Sequence, residues 1–300
     1  MLQGFATFNV RVQAEPQSVS IFGLKSNHDD KLPALLLLHG FPQNHQIWSR
    51  VAPLLAGRYN VVAMDLRGYG KSSKPKSVSA YAKSAMARDC VAVMDALGYT
   101  GGFYVCAHDR GARVAHKLCV DFPARIQKAI FLDICPTLAM YENAGLEFAK
   151  SYFHWFFLIQ KEPFPETLIS TSPREFAKMF MGGRQVEGLT IFDDSSFNSY
   201  AEALGDIDTI HSMCQDYRAS ASLDLDEARD DLASGRLIRC PLRVLWSDRG
   251  VVEKCFSAVK EWQAVSADDV TVEGHSVDSG HYIPEQIPDT VVSEILDLFC

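Results

Sequence analysis

Five residues constrain this chain more than any other feature: Ala107-His108-Asp109-Arg110-Gly111, placed directly after the apolar run Gly102-Phe103-Tyr104-Val105-Cys106. Small residues on either side of a central side chain describe a sharp strand-to-helix turn, in which a strained backbone pushes that side chain out above a sheet. Such a turn needs a strand beneath it and a helix beyond it.

The rest of the pattern supplies them. Buried-looking runs recur at Ala34–Leu38, Val61–Met64, Phe103–Cys106, Ala129–Leu132, Leu242–Trp246 and Val270–Val272. Helical patterns fall between most of these runs, which predicts an α/β fold with a mostly parallel central sheet covered on both faces. Ala85, Met86, Cys90, Val93, Met94 and Leu97 recur at helical spacing, and Gly98 ends that helix. Before the first run, Phe5, Phe8, Val10 and Val12, then Val19, Ile21 and Leu24, alternate as an antiparallel pair at a sheet edge would. Between Leu138 and about Gly235 the rhythm lapses into an aromatic, helix-like stretch broken at Pro163, Pro165, Pro173, Gly182 and Gly183. The sheet resumes at Arg239-Cys240-Pro241. The expected organisation is a core from residues 1–137, an inserted helical lid from 138–235, and the remainder of the core from 236–300.

Composition excludes several classes of function. A chain of 300 residues with 47% hydrophobic and 22% charged content can bury a large core. A net charge of −8 offers no basic footprint for nucleic acid or an anionic membrane surface, so any anionic ligand must be attracted locally. The eight cysteines are scattered without C-x-x-C or zinc-like spacing and read as buried thiols in a reducing compartment. Met1-Leu2-Gln3-Gly4 lacks the basic and apolar regions of a signal peptide, and no apolar run reaches the length of a membrane span. The expected location is the cytoplasm. The expected partner is a small carboxylated molecule, with neither nucleic acid nor membrane and at most a second copy of the chain. No metal or organic cofactor is called for.

At the turn, the central side chain is Asp109, and the chain contains no Gly-x-Ser-x-Gly. A serine there would attack a carbonyl. An ionised carboxylate can instead displace a leaving group from saturated carbon and form an alkyl ester that water must cleave. That chemistry needs a base and a group to orient it. His281, in the loop Asp278-Ser279-Gly280-His281-Tyr282 after the last strand, is the better base; His275, at the strand end, competes with it. The orienting acid is Asp133, in Phe131-Leu132-Asp133-Ile134-Cys135-Pro136, with Asp248 as runner-up. The other frequent position for this acid, four residues beyond Trp246, holds Gly250. Backbone N–H groups of Phe41, in His39-Gly40-Phe41-Pro42, and of Arg110 would make an oxyanion hole. Arg110 and Arg113 stand at the start of the helix after the turn, where the helix already carries partial positive charge. Two guanidinium groups there point to an anionic ligand whose carboxylate they would fork, unless they pair with Asp121, Asp133 or another acid.

Together, His39-Gly40-Phe41-Pro42-Gln43-Asn44, Asp65-Leu66-Arg67-Gly68-Tyr69-Gly70-Lys71-Ser72, His108-Asp109-Arg110-Gly111-Ala112-Arg113, Leu132-Asp133-Ile134-Cys135-Pro136-Thr137 and Gly280-His281 resemble the haloacetate (fluoroacetate) dehalogenases of the α/β-hydrolase fold. The resemblance covers nearly the whole chain. It implies that Asp109 displaces halide from the α-carbon of a 2-haloacid to leave a 2-hydroxy acid, that Arg110 and Arg113 bind the carboxylate, and that His281, supported by Asp133, activates water. It also implies a halide site made by His154, Trp155 and Tyr217; without the resemblance, His154 and Trp155 read as lid core. One departure is visible: a tryptophan frequent near the lid's double glycine is replaced by the string Gly182-Gly183-Arg184-Gln185-Val186, which suggests a wider or differently charged pocket. Two other functions use the same residues. An epoxide hydrolase would recruit lid tyrosines such as Tyr152, Tyr200 and Tyr217 as proton donors but leave the two arginines without a purpose, and a non-catalytic sensor would bind a small carboxylate in the same pocket.

Overall fold

The computed structural model describes residues 2, 4–13, 18–183 and 186–299. The apolar runs form one sheet of eight strands: β1 Phe5–Val12, β2 Val19–Ser26, β3 Ala34–Leu38, β4 Asn60–Met64, β5 Phe103–His108, β6 Ile126–Leu132, β7 Leu242–Ser247 and β8 Val272–Val277. Their order is β1-β2-β4-β3-β5-β6-β7-β8. β1 and β2 pair antiparallel at one edge, and β3 to β8 run parallel. All five residues of β3 are buried because both faces of the sheet are covered. Leu36 and Leu38 enter the apolar cluster on one face with Val62 and Met64, and Leu35 and Leu37 enter that on the other with Val61 and Ala63. At about 1.5–3 kcal/mol per fully buried leucine, these central strands contribute much of the stabilisation.

β8 begins later than the apolar run Val270–Val272 predicts, because it is an edge strand whose exposed positions carry Glu273, His275 and Ser276. An alternating edge strand leaves no continuous apolar run to find. The helix read from Ala85 to Leu97 runs Lys83–Ala96, and Gly98, at φ +93°, takes the left-handed conformation that closes it. Between β6 and β7 the chain is helical from Thr137–Glu142 to Leu223–Ala233. Tyr152, Trp155 and Tyr217 of this stretch share one buried cluster with Val105 and Phe131 of the sheet. The seven described cysteines are free thiols, six of them buried; Cys300 lies outside the described residues. Among the described residues no helix is long and apolar enough to cross a membrane.

The strand order places the site. The chain passes from β3 outward to β4 and then returns across β3 to β5, so the loops after β3 and β5 leave neighbouring strands on opposite courses. A crevice opens at such a switch point, at the carboxyl ends of the strands. The loop after β3 carries Gly40 and Phe41, and the turn after β5 carries Asp109.

Candidate active site

Asp109 sits between β5 and the helix Arg110–Asp121 with φ 48° and ψ −114°. Among the described residues the non-glycine positions with positive φ are Asp109 and Asp133, which end adjacent parallel strands. A left-handed backbone is strained for a residue with a β-carbon and persists only when its surroundings hold it. Close packing does so here. A β-carbon on Gly111 would lie 2.4 Å from the His39 carbonyl oxygen, and one on Gly40 would lie 2.5 Å from Asp109 Cβ. The two glycines let the loop after β3 and the turn after β5 touch.

That contact orients the carboxylate. Phe41 N–H donates to Asp109 Oδ1 at 2.9 Å. Arg110 opens the helix, where first-turn N–H groups have no partner within the helix. His39 fixes the loop rather than joining the chemistry: Leu66 N–H donates to its Nε2 at 3.0 Å, so its Nδ1–H faces the Gly40 carbonyl at 2.9 Å. Complete burial lowers its pKa and keeps it neutral.

His281 Nε2 stands 3.9 Å from Asp109 Oδ2, and its Nδ1 lies 2.6 Å from Asp133 Oδ2. Asp133 Oδ1 accepts the Ser247 N–H at 2.9 Å, so both oxygens of this carboxylate are used. Gly250 lies alongside: a β-carbon there would be 2.9 Å from Ser247 Cβ and 3.5 Å from Asp133 Oδ1. A side chain after β7 would therefore begin against the Asp133 carboxylate, and in this chain the acid beside His281 comes from the end of β6. His108 sits beneath, its Nε2 2.8 Å from the His281 carbonyl oxygen; burial and the neighbouring His281 push it down to about 4, so it is a neutral donor. Burial opposes charge on Asp109, but His281, His108, Arg113 and Arg110 together hold it below the usual carboxylate range. It is ionised at neutral pH.

The competing residues are elsewhere. His275 lies within β8, exposed, 3.3 Å from Glu294. Asp248 is exposed and 3.4 Å from Arg249.

The two arginines are both fully buried but differ in their partners. Arg110 forks Asp216 through Nε (2.9 Å) and Nη2 (2.8 Å), its Nη2 also reaches Ser220 Oγ at 2.7 Å, and its guanidinium lies 4.2 Å over the Tyr217 ring. Arg113 meets only neutral acceptors: the Cys135 carbonyl, Thr137 Oγ1 and Met140 Sδ, with the Trp155 ring at 4.6 Å. Burial and the neighbouring Arg110 lower its pKa against the opposing charge of Asp109, and among the described residues no salt bridge reaches it. Arg110 Nη1, Arg113 Nε and Trp155 Nε1 are buried donors without a hydrogen-bond partner among the described residues. Buried donors are rarely left so, and these three belong to residues that touch one another, Arg113 against the Trp155 ring and Arg110 beside Arg113.

The halide residues proposed by resemblance converge on the same space. His154 stacks on Phe41 at 6.0 Å and meets Tyr217 edge-on at 5.8 Å, and Trp155 lies 6.3 Å from Tyr217. Tyr152 Oη is 3.5 Å from His281 Nδ1. A cavity of about 600 Å³ opens beside His281 and Asp133 under Tyr152, Phe153 and Phe180, with Lys150 and Lys254 along it. Arg184 and Gln185, where the sequence departs from the resemblance, lie outside the described residues.

Asp216 and Glu285 escaped the reading of the sequence. Asp216 is next to Tyr217 in the chain, yet its partner Arg110 lies 106 positions away, and no spacing announces such a pair.

Residues 33–200 match the family model of the α/β-hydrolase fold. A fluoroacetate dehalogenase from Burkholderia sp. is 38% identical over 86% of this chain and 84% of its own length. A soluble epoxide hydrolase from Corynebacterium sp. (strain C12) is 29% identical over 88% of this chain and 89% of its own. The crystal structure of an α/β hydrolase from Nostoc sp. PCC 7120 superposes with a TM-score of 0.91 at 38% identity, covering 100% of this chain and 99% of that one. This chain belongs to the α/β-hydrolase family, in the group that includes the fluoroacetate dehalogenases, and it is a hydrolytic enzyme.

Proposed function

We propose that this enzyme hydrolyses the carbon–halogen bond of haloacetates or related 2-haloacids through an ester on Asp109. The observation that carries this reading is the pairing of an ionised carboxylate on a strained turn with buried arginine donors that have no hydrogen-bond partner among the described residues. Arg113, and Arg110 through Nη1, clamp the substrate carboxylate and set the neighbouring carbon in front of Asp109 Oδ2. The carboxylate displaces halide, whose developing charge meets Trp155 Nε1, His154 and Tyr217 in the lid formed by residues 138–235. The product of this step is an alkyl ester of Asp109 and free halide.

His281 Nε2 then removes a proton from water as the water oxygen attacks Cγ of the ester. The charge that develops on the Asp109 oxygen is held by the N–H groups of Phe41 and Arg110, and removing one such donor typically costs about 2.7–4 kcal/mol of barrier. Collapse releases a 2-hydroxy acid and restores Asp109. Asp133 keeps the imidazole in the Nδ1–H tautomer and stabilises it when it becomes a cation.

Epoxide opening would require lid tyrosines aimed at the departing alkoxide. Tyr200 Oη instead donates to Glu285 at 2.9 Å, and a neutral epoxide carries no carboxylate for the two buried arginines to pair with. The test is a single turnover of chloroacetate or fluoroacetate in heavy-oxygen water. One heavy oxygen entering the carboxyl group of Asp109, with halide and glycolate in equal amounts, is the expected result. Label passing directly into glycolate, or turnover of styrene-type epoxides with no halide from any haloacid, would overturn the reading.

A further inference from the structure

Glu285 lies four residues beyond His281 in the short helix Ile283–Gln286, with 2% of its surface exposed. Its side chain joins its own segment to two others. Oε1 accepts from Tyr200 Oη at 2.9 Å, from the lid helix Asp194–Ala203. Oε2 meets Gln43 Nε2, from the loop after β3. The Gln43 N–H donates to the Gly40 carbonyl at 3.0 Å, closing a turn around Phe41 and Pro42, so Gln43 belongs to the same turn as the N–H on Asp109. Arg50 Nη1 anchors the Glu285 carbonyl at 2.6 Å, and Asn44 Nδ2 makes a second link from the loop to the lid helix through Ser199 Oγ at 2.9 Å.

We propose that Glu285 is a positioning residue: through Gln43 and Tyr200, its carboxyl ties the Phe41 loop, the His281 loop and the lid into one unit that keeps Phe41 N–H and His281 Nε2 set on Asp109. The inference rests on the reading of Asp109 and His281 given above. The groups facing this carboxyl are Tyr200 and Asp193 from the lid side, Gln43 from the loop after β3, and Arg50. Burial, with Asp193, outweighs the donors Tyr200 and Gln43 and the charge of Arg50, and pushes Glu285 up to about 8. The acid is neutral at pH 7. Gln43 Oε1 is a buried acceptor without a hydrogen-bond partner among the described residues, and turning the Gln43 amide presents it to the acid's O–H. Ionisation removes that donor and leaves a buried charge at the junction, so the junction loosens as pH rises through about 8.

The test uses Glu285→Gln, Glu285→Ala and Tyr200→Phe in the full chain, with halide release from chloroacetate followed across pH. Glu285→Gln keeps a neutral carboxamide; it is expected to hold kcat within about three-fold of wild type at neutral pH and to lose the wild-type fall in kcat above about pH 8. Glu285→Ala is expected to lower kcat about ten-fold or more at unchanged circular dichroism, with KM within a few-fold, since small misplacements at a reacting centre act on turnover. Tyr200→Phe, which removes one hydrogen bond, should fall between them. A substrate-free readout separates this proposal from the function: the proton NMR resonance of the His281 Nδ1–H held by Asp133 should shift or broaden in Glu285→Ala. An unmoved resonance, a Glu285→Gln pH profile that follows wild type, or undiminished kcat in Glu285→Ala would overturn the proposal. Absence of halide release by wild type, with the resonance shifted, would overturn the function alone.

Discussion

Asp216 offers the sharpest test of how the charges of this site are arranged. Its two oxygens take Arg110 Nε at 2.9 Å, Arg110 Nη2 at 2.8 Å, Lys83 Nζ at 2.6 Å and Tyr69 Oη at 2.7 Å, all in the interior. Burial opposes its charge, but Arg110 and Lys83 hold its carboxyl far below the usual aspartate range. Asp216→Asn keeps the shape and replaces one acceptor oxygen by a donor. Whichever way the amide turns, an N–H faces either Arg110 Nε and Tyr69 or Arg110 Nη2 and Lys83. Lys83 retains Asp224 at 3.1 Å, so the uncompensated charge falls on Arg110. Removing one partner of a buried pair destabilises by about 3–5 kcal/mol, a large part of the roughly 5–15 kcal/mol that holds a domain folded.

Urea unfolding at neutral pH measures this directly, as a lower midpoint at unchanged slope. The sign of the pH dependence follows from the depressed pKa. The stability Asp216 contributes is fully present above the range of an ordinary aspartate, about 3.9, and is lost as pH falls below it, so the gap between variant and wild type should close only in acid. Arg110→Met combined with Asp216→Leu should be less destabilised than Asp216→Asn alone, because no unpaired charge remains. A loss under about 1 kcal/mol in Asp216→Asn would refute the claim that this pair is dry and mutually dependent.

Other outcomes follow from the same geometry. Gly111→Ala, whose methyl would lie 2.4 Å from the His39 carbonyl, should lower stability by about 1–3 kcal/mol or more and abolish turnover by moving Asp109; urea midpoints and halide release check it. Arg113→Met should raise KM for haloacetate about 10- to 100-fold, as loss of a charge-assisted contact does, while leaving uncharged ligands of the pocket unaffected; steady-state kinetics and competition binding check it. His281→Asn should stall after the first step, and intact-protein mass after exposure to chloroacetate should show the carboxymethyl adduct on Asp109. For Glu285, whose folded-state value is about 8, wild type should lose stability relative to Glu285→Gln as pH rises from about 4.3 toward 8, by at most about 5 kcal/mol, and the difference should level off above that; urea midpoints across this range check it.

What the sequence disclosed and what it withheld divide along physical lines. The strands β3 to β7 were legible because strands covered on both faces must be apolar throughout, as Ala34–Leu38 is. The turn was legible because the steric demands of Gly40 and Gly111 leave few alternatives at those positions. His281 and Asp133 could be nominated because each ends or follows a strand of one parallel sheet, and topology brings such ends together. β8 was displaced because its exposed side carries polar residues. The partner of Arg110 was out of reach for a different reason: Asp216 belongs to the helix Ile207–Ser220, and where that helix docks depends on packing between lid and core, not on local pattern. Glu285 was missed because a neutral buried acid looks like any surface glutamate until its donors are seen.

The same contrast explains why two arginines side by side need not repel one another into instability. Arg110 with Asp216 is close to electrically neutral, so it adds shape, the unpartnered Nη1 group, and little net field. Arg113 has carbonyl, hydroxyl and sulfur contacts and the Trp155 face around it, and the opposing charge nearby is that of Asp109 itself. Were both unpaired, the buried repulsion would fall on the folded enzyme at all times. Were both paired with carboxylates, an anion would find no attraction and Asp109 would repel it. In the reaction proposed above, one neutralised and one free guanidinium would provide a site that tolerates being empty and still draws a carboxylate toward another carboxylate, within a chain whose net charge is −8.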